Sequence, residues 1–168
     1  MKPYGVIIVA TAMLLLVGFL AIQPATAGNP AQSSQDYEAC LACHGNPALK
    51  HTFPSGEEWS LYVNEEVYQN SVHGERGLVC TACHVEIEGY PHRPLEVTSV
   101  RAYQLRQYRS CIRCHERVYQ ETLDSIHARE LSAGNFDAPV CTDCHGAHDV
   151  SSPHEPRTKI AEACSSCH

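Results

Sequence analysis

Short helices and coil with little strand, wrapped around a core that the polypeptide does not itself supply, form the fold class predicted by this 168-residue sequence. Three observations predict it. All ten cysteines fall in five C-x-x-C-H motifs: CLACH at 40, CTACH at 80, CIRCH at 111, CTDCH at 141 and CSSCH at 164. Large aromatic side chains other than tyrosine are one Trp and three Phe, too few for an ordinary apolar interior. Pro- and Gly-rich connections such as GNP, FPSG, GYPHRP and SSPHEP cut the rest into short pieces.

Each C-x-x-C-H motif is an attachment signature for c-type haem. Its two cysteines, three apart, add across the two vinyl groups of one porphyrin, and the next histidine lies beneath the iron as proximal ligand. The expected attachment pairs are Cys40 and Cys43, Cys80 and Cys83, Cys111 and Cys114, Cys141 and Cys144, and Cys164 and Cys167. The expected proximal ligands are His44, His84, His115, His145 and His168. A zinc ribbon would not need a histidine after every second cysteine. A thioredoxin-like C-x-x-C occurs once, beside a βαβ pattern that is not present here. A disulfide framework would not confine every cysteine to one spacing. Five haem c groups, stacked, would then be most of the core, with folding coupled to their attachment.

Residues 6–22, VIIVATAMLLLVGFLAI, form an apolar run after Lys2, followed by Ala25-Thr26-Ala27. This pattern predicts a signal peptide over 1–27 and a mature pentahaem domain over 28–168, the alternative being a retained N-terminal anchor. Either places the protein outside the cytoplasm, periplasmic or extracellular, with membrane association in the anchored case. The formal net charge is −7 and falls by one more unit once Lys2 is removed. Nucleic acid is therefore not an expected partner, whereas a basic redox protein could be steered in.

The chain repeats itself. YQNSVHGERGLVCTACHVEIEGYPH, residues 68–92, matches YQETLDSIHARELSAGNFDAPVCTDCHGAHDVSSPH, residues 119–154, in Tyr-Gln, S-x-H, V-C-T-x-C-H and P-H. With the preceding motifs, the unit reads haem, S-x-H, haem, P-H. It spans 36–92 and 107–154, and 155–168 opens a third, partial unit. Helices are expected just before motifs, capped by Ser33 or Ser34 in SSQDYEAC and by Thr158 in TKIAEACSSC. The longest is expected from Thr98 toward Glu130, ending near Gly134 and Pro139, and EWSLYVN could be a short strand.

Both methionines lie in the signal region, so His/Met ligation is excluded for the mature chain. Of eleven histidines, six lie outside the motifs: His51, His73, His92, His127, His148 and His154. Six candidates for five distal positions fit a mostly bis-His protein, of lower potential than His/Met irons. His73 and His127 are the strongest candidates, because they occupy matched places in the repeat, as do His92 and His154. In an unbroken helix His115 and His127 would stand about 18 Å apart. Hence His127 should serve another iron unless the chain turns back. For His168 the expected partners are His51 or His148, a histidine from another subunit, or an open site.

The stretches SVHGERGLVCTACH and SIHARELSAGNFDAPVCTDCHGAHDV resemble the extracytoplasmic multihaem cytochromes c with doubled CxxCH motifs, and the resemblance covers most of residues 36–168. It implies a chain of closely packed, mostly bis-His haems carrying electrons in respiration. Relatives of this kind serve as haem subunits of membrane respiratory complexes or assemble into filaments in which a neighbour donates a distal histidine. The quinol-oxidising tetrahaem relatives carry a methionine just after the first motif, where this chain has Gly45-Asn46-Pro47. Electron transfer without bond chemistry is thus the expected function, and redox proteins or a membrane complex the expected partners. A conductive filament or a reductase with one open iron is the alternative.

Overall fold

The computed structural model describes the backbone of residues 30–152 and 158–168, and the side chains of 36–152 and 161–168. The expected signal region 1–27 and His154 lie outside the described residues. Residues 31–168 form one unit.

Helix α1 spans Pro30–His44, with proline in the first turn where its missing N–H costs nothing. It carries the whole first motif and starts earlier than a Ser33 or Ser34 cap would set. Gly45 then lets the chain turn sharply away. Its N–H donates to Leu41 O at 2.8 Å, and a Cβ at this position would stand 2.7 Å from that oxygen. A hairpin follows, β1 (Lys50–Thr52) against β2 (Glu58–Ser60), antiparallel, with His51 opposite Trp59. The EWSLYVN strand is therefore present, over its first residues. Val63 N–H donates to His44 O at 2.7 Å, which returns the chain to the end of α1.

Helix α2 (Glu65–Gln69) is capped by the Asn64 side chain, which accepts from Val67 N. Two 3₁₀ turns follow, Gly74–Arg76 and Cys80–Ala82, the second carrying the second motif. Thus the helices tend to carry the motifs rather than precede them, and the second motif has no α-helix. The single long helix expected from Thr98 is three: α3 (Val100–Gln107), α4 (Arg109–Thr122) and α5 (Ile126–Ser132). The chain breaks at Tyr108, shared between α3 and α4, and again before Ser125, whose side chain caps α5 through Ala128 N. Within α4 the backbone departs from helical at His115, φ −106° and ψ 31°, where the third motif ends. Gly134, at φ 91°, follows α5 near the expected end. Helices α6 (Cys141–His145) and α7 (Thr158–Ser165) carry the fourth motif and the first cysteine of the fifth, α7 starting at the expected Thr158.

The apolar core is small. Among the described residues only Phe53, Tyr103, Ala138 and Val140 are buried hydrophobics, and no large side chain is fully enclosed. Phe53 stacks on Trp59 at 6.1 Å, and Trp59 lies 4.7 Å from Tyr103, joining the hairpin to α3. Arg101 ties α3 to the segment entering the fourth motif. It donates to Phe136 O at 2.7 Å and Ala138 O at 2.5 Å, and pairs with Asp143 at 2.9 Å. No helix among the described residues is long and apolar enough to cross a membrane.

Candidate haem-ligand site

The serine of S-x-H has a structural task in both repeats. Ser71, buried, accepts from Gly74 N at 3.0 Å, and Ser125 accepts from Ala128 N at 3.1 Å. Each hydroxyl satisfies the N–H three residues on and starts the turn that presents the histidine between them. His73 and His127 are thus held by the same local device.

The imidazoles come in twos. His44 faces His92 with ring centres 6.0 Å apart and planes within 2°. His84 and His148 are 6.1 Å apart, His73 and His115 6.1 Å, and His127 and His168 6.0 Å. Every one of these pairs joins one motif histidine to one from outside the motifs. Two imidazole nitrogens each about 2.0 Å from one central metal place the ring centres about 6 Å apart. Among the described residues no three His, Cys, Asp or Glu converge as a bare metal ion would require. Two axial nitrogens suit instead a group that brings its own in-plane donors, so the residues present fit haem.

The placement of the S-x-H histidines follows the repeat. The S-x-H of the first unit reaches the opening motif of the second (His73 to His115). That of the second unit reaches the opening motif of the third (His127 to His168). The imidazole beside His168 is thus that of His127, while His148, one of the two expected partners within the chain, lies beside His84 instead. The His127 ring lies by the fifth motif and not by its neighbour at 115, as the break between α4 and α5 allows. His51 takes a different position. It sits in β1 with its ring edge-on to Phe53 at 4.7 Å. His145, at the end of α6, faces no second imidazole among the described residues.

Ring orientation is set from behind. The Nδ1 of His44 donates to Leu61 O at 2.8 Å, and the Nδ1 of His92 to Arg93 O at 2.9 Å, which leaves Nε2 as the ring nitrogen available for ligation. The Nδ1 of His84 meets Tyr103 Oη at 2.9 Å. Burial lowers the pKa of His84, His148 and His73, so each is held as the neutral imidazole that ligation needs. Tyr103, and Gln107 donating to Cys83 O at 2.7 Å, were not legible as site residues, because they lie on α3 far in sequence from the motif they support.

The ten cysteines form no disulfide with one another. Their electrostatics link each motif to the next. Burial and then the Cys40 thiol raise Cys80, and Cys83 is raised by burial and then by Cys111 and Cys114. The Cys141 thiol hydrogen-bonds Cys111, lowering Cys111 and raising Cys141, while Cys144 is raised by burial, with Asp143, Cys164 and Cys167 adding to it. Beside the third motif lies an open groove of about 520 Å³ lined by Tyr108, Arg109, Ile112, Arg113, Glu116 and Tyr119.

No curated protein and no solved structure matches the chain. Residues 134–168 match the family model described as the doubled CXXCH motif, so this part of the small, helix-rich chain is similar to c-type cytochromes and carries a signature of covalent haem c and of electron transfer.

Proposed function

We propose that the protein is a pentahaem electron carrier acting outside the cytoplasm, with no bond chemistry of its own. The observation that carries this reading is the four-fold recurrence of a motif histidine facing a non-motif histidine at 6.0–6.1 Å. Haem, when bound, supplies a one-electron ferric/ferrous couple. The cysteines would hold it covalently, and His44 with His92, His84 with His148, His115 with His73, and His168 with His127 would cap both faces. His145 would take His51 or His154. With both axial places filled by imidazole, no iron so capped offers a place for a substrate, which favours a carrier over a reductase.

The order of the motifs supports a single file. Cys40 lies by Cys80, Cys83 by Cys111, Cys111 by Cys141 and Cys144 by Cys164 and Cys167, each motif next to its successor. Charge could then enter near the first motif and leave near the last, or the reverse. The acidic surface suits basic redox proteins or a membrane respiratory complex as donor and acceptor.

The test is made on mature protein purified from a cell that attaches haem c. Its mass should show five covalent groups on a chain starting at Gly28. Its ferric state should show low-spin irons by low-temperature EPR. Colourless or zinc-bearing protein would end this reading.

A further inference from the structure

One motif histidine is backed unlike the others. His44 Nδ1 reaches a neutral backbone carbonyl, Leu61 O, at 2.8 Å. Behind His84 stand two side chains instead. Tyr103 Oη lies 2.9 Å from His84 Nδ1 and donates to Glu86 Oε1 at 3.3 Å, and that carboxylate oxygen is itself 3.9 Å from Nδ1. Among the described residues, no other motif histidine has its Nδ1 against a side chain.

The direction of the hydrogen bonds follows from the chemistry. With Nε2 given to ligation, Nδ1 would carry the proton and donate to Tyr103 Oη. The phenol proton then goes on to Glu86. Tyr103 is 8% exposed, its ring lies 14° from the plane of His84, and Trp59 packs on it at 4.7 Å, so its hydroxyl has little freedom to leave. Arg106 lies over the Tyr103 ring at 5.6 Å, and Gln107 holds Cys83 O, so α3 clamps both the ligand and its motif.

We propose that Tyr103 and Glu86 are positioning residues that lower the reduction potential of the iron under His84 relative to the iron under His44. This rests on the haem reading above. A hydrogen bond passed from the ligand toward a carboxylate moves electron density onto the imidazole, making it a stronger donor. A stronger donor favours ferric over ferrous iron, and hydrogen bonding around the ligands is one of the levers that set haem potentials. A nearby negative charge acts in the same direction. The second site in the file would then lie below the first in potential. An electron would pass through it quickly rather than rest there.

A purely packing role for Tyr103 would be met equally well by phenylalanine, and this separates the two explanations. The holoprotein, Tyr103→Phe and Glu86→Gln are titrated by spectroelectrochemistry, with covalent haem counted in each. In Tyr103→Phe one of the midpoints should rise by about 59 mV, a tenfold change in the ferric/ferrous ratio of that centre, with the others in place. Glu86→Gln should raise the same midpoint by less, and the ferric EPR signal of one centre should change in both. Unmoved midpoints in Tyr103→Phe at full haem content overturn the proposal. If Tyr103→Phe does not accumulate, Glu86→Gln decides alone, a rise supporting the relay and no shift overturning it. Wild-type protein without covalent haem would overturn the functional reading itself, and this proposal with it.

Discussion

The rings of His127 and His168 face one another at 6.0 Å, 27° from parallel, although one begins α5 and the other is the last residue of the sequence. What reaches the fifth motif is the S-x-H of the repeat before it, just as His73 reaches His115. The repeat therefore interlocks: each unit places a histidine against the next unit's opening motif, and under the haem reading the units could not be separated without uncapping an iron. Replacing His127 by alanine should turn about one fifth of the ferric low-spin EPR intensity high-spin, with the haem count unchanged. His73→Ala should do the same at the third motif. No high-spin signal in either would break the interlocking.

Ser71 and Ser125 do the same work in different surroundings, and their neighbours show why the two copies diverge. Ser125 opens a true helix, so Ala128 is comfortable three residues on. Ser71 opens a single 3₁₀ turn pressed against α2, and Gly74 fills the matched place because a Cβ there would stand 2.0 Å from Tyr68 O. Gly74→Ala should therefore displace His73 and give a high-spin centre at the third motif, the readout being the same EPR spectrum. Ser125→Ala should cost about 1 kcal/mol of stability, read by thermal unfolding of the holoprotein.

Arg101 makes three bonds that no sequence pattern announces. Its guanidinium spans Phe136 O, Ala138 O and the Asp143 carboxylate, and Asp143 also accepts from Val140 N at 2.6 Å. Arg101→Ala should lower stability by about 2 kcal/mol, since it removes the guanidinium from two carbonyls and from a partly buried carboxylate that keeps only its bond from Val140 N. Arg101→Lys should recover little, because a single ammonium cannot span all three acceptors. Chemical denaturation of the holoproteins measures both.

The legible part of the molecule was the chemistry written in fixed spacing. The five motifs, the matched His73 and His127, and the hairpin strand all follow from local pattern. The pairing was less accessible, because His92 meets His44 and His148 meets His84 through returns of the chain such as the bond from Val72 N to Val150 O at 2.9 Å. The long helix expected from Thr98 failed for a physical reason. The stretch has no Gly or Pro to stop a helix, but the chain breaks at Tyr108, departs from helical φ and ψ at His115, and Ser125 competes for the backbone as a cap. Tyr103 and Glu86 carried no spacing signal at all. Their role appears only where α3 packs against the second motif.

His145 leaves one choice, and the structure supplies a reason to decide it. His51 is held in the hairpin with its ring edge-on to Phe53, which is 2% exposed, and Phe53 stacks on Trp59. A histidine committed to that aromatic cluster is a packing element. His154 stands in the P-H position of the second repeat, the place that His92 fills in the first, and His92 faces a motif histidine. The expected outcome is that His154→Ala produces one high-spin ferric centre, whereas His51→Ala leaves every iron low-spin and costs only stability. The reverse result, high-spin iron in His51→Ala and none in His154→Ala, would show that the hairpin itself supplies the ligand. It would also mean that the edge contact with Phe53 serves to aim the His51 ring at an iron.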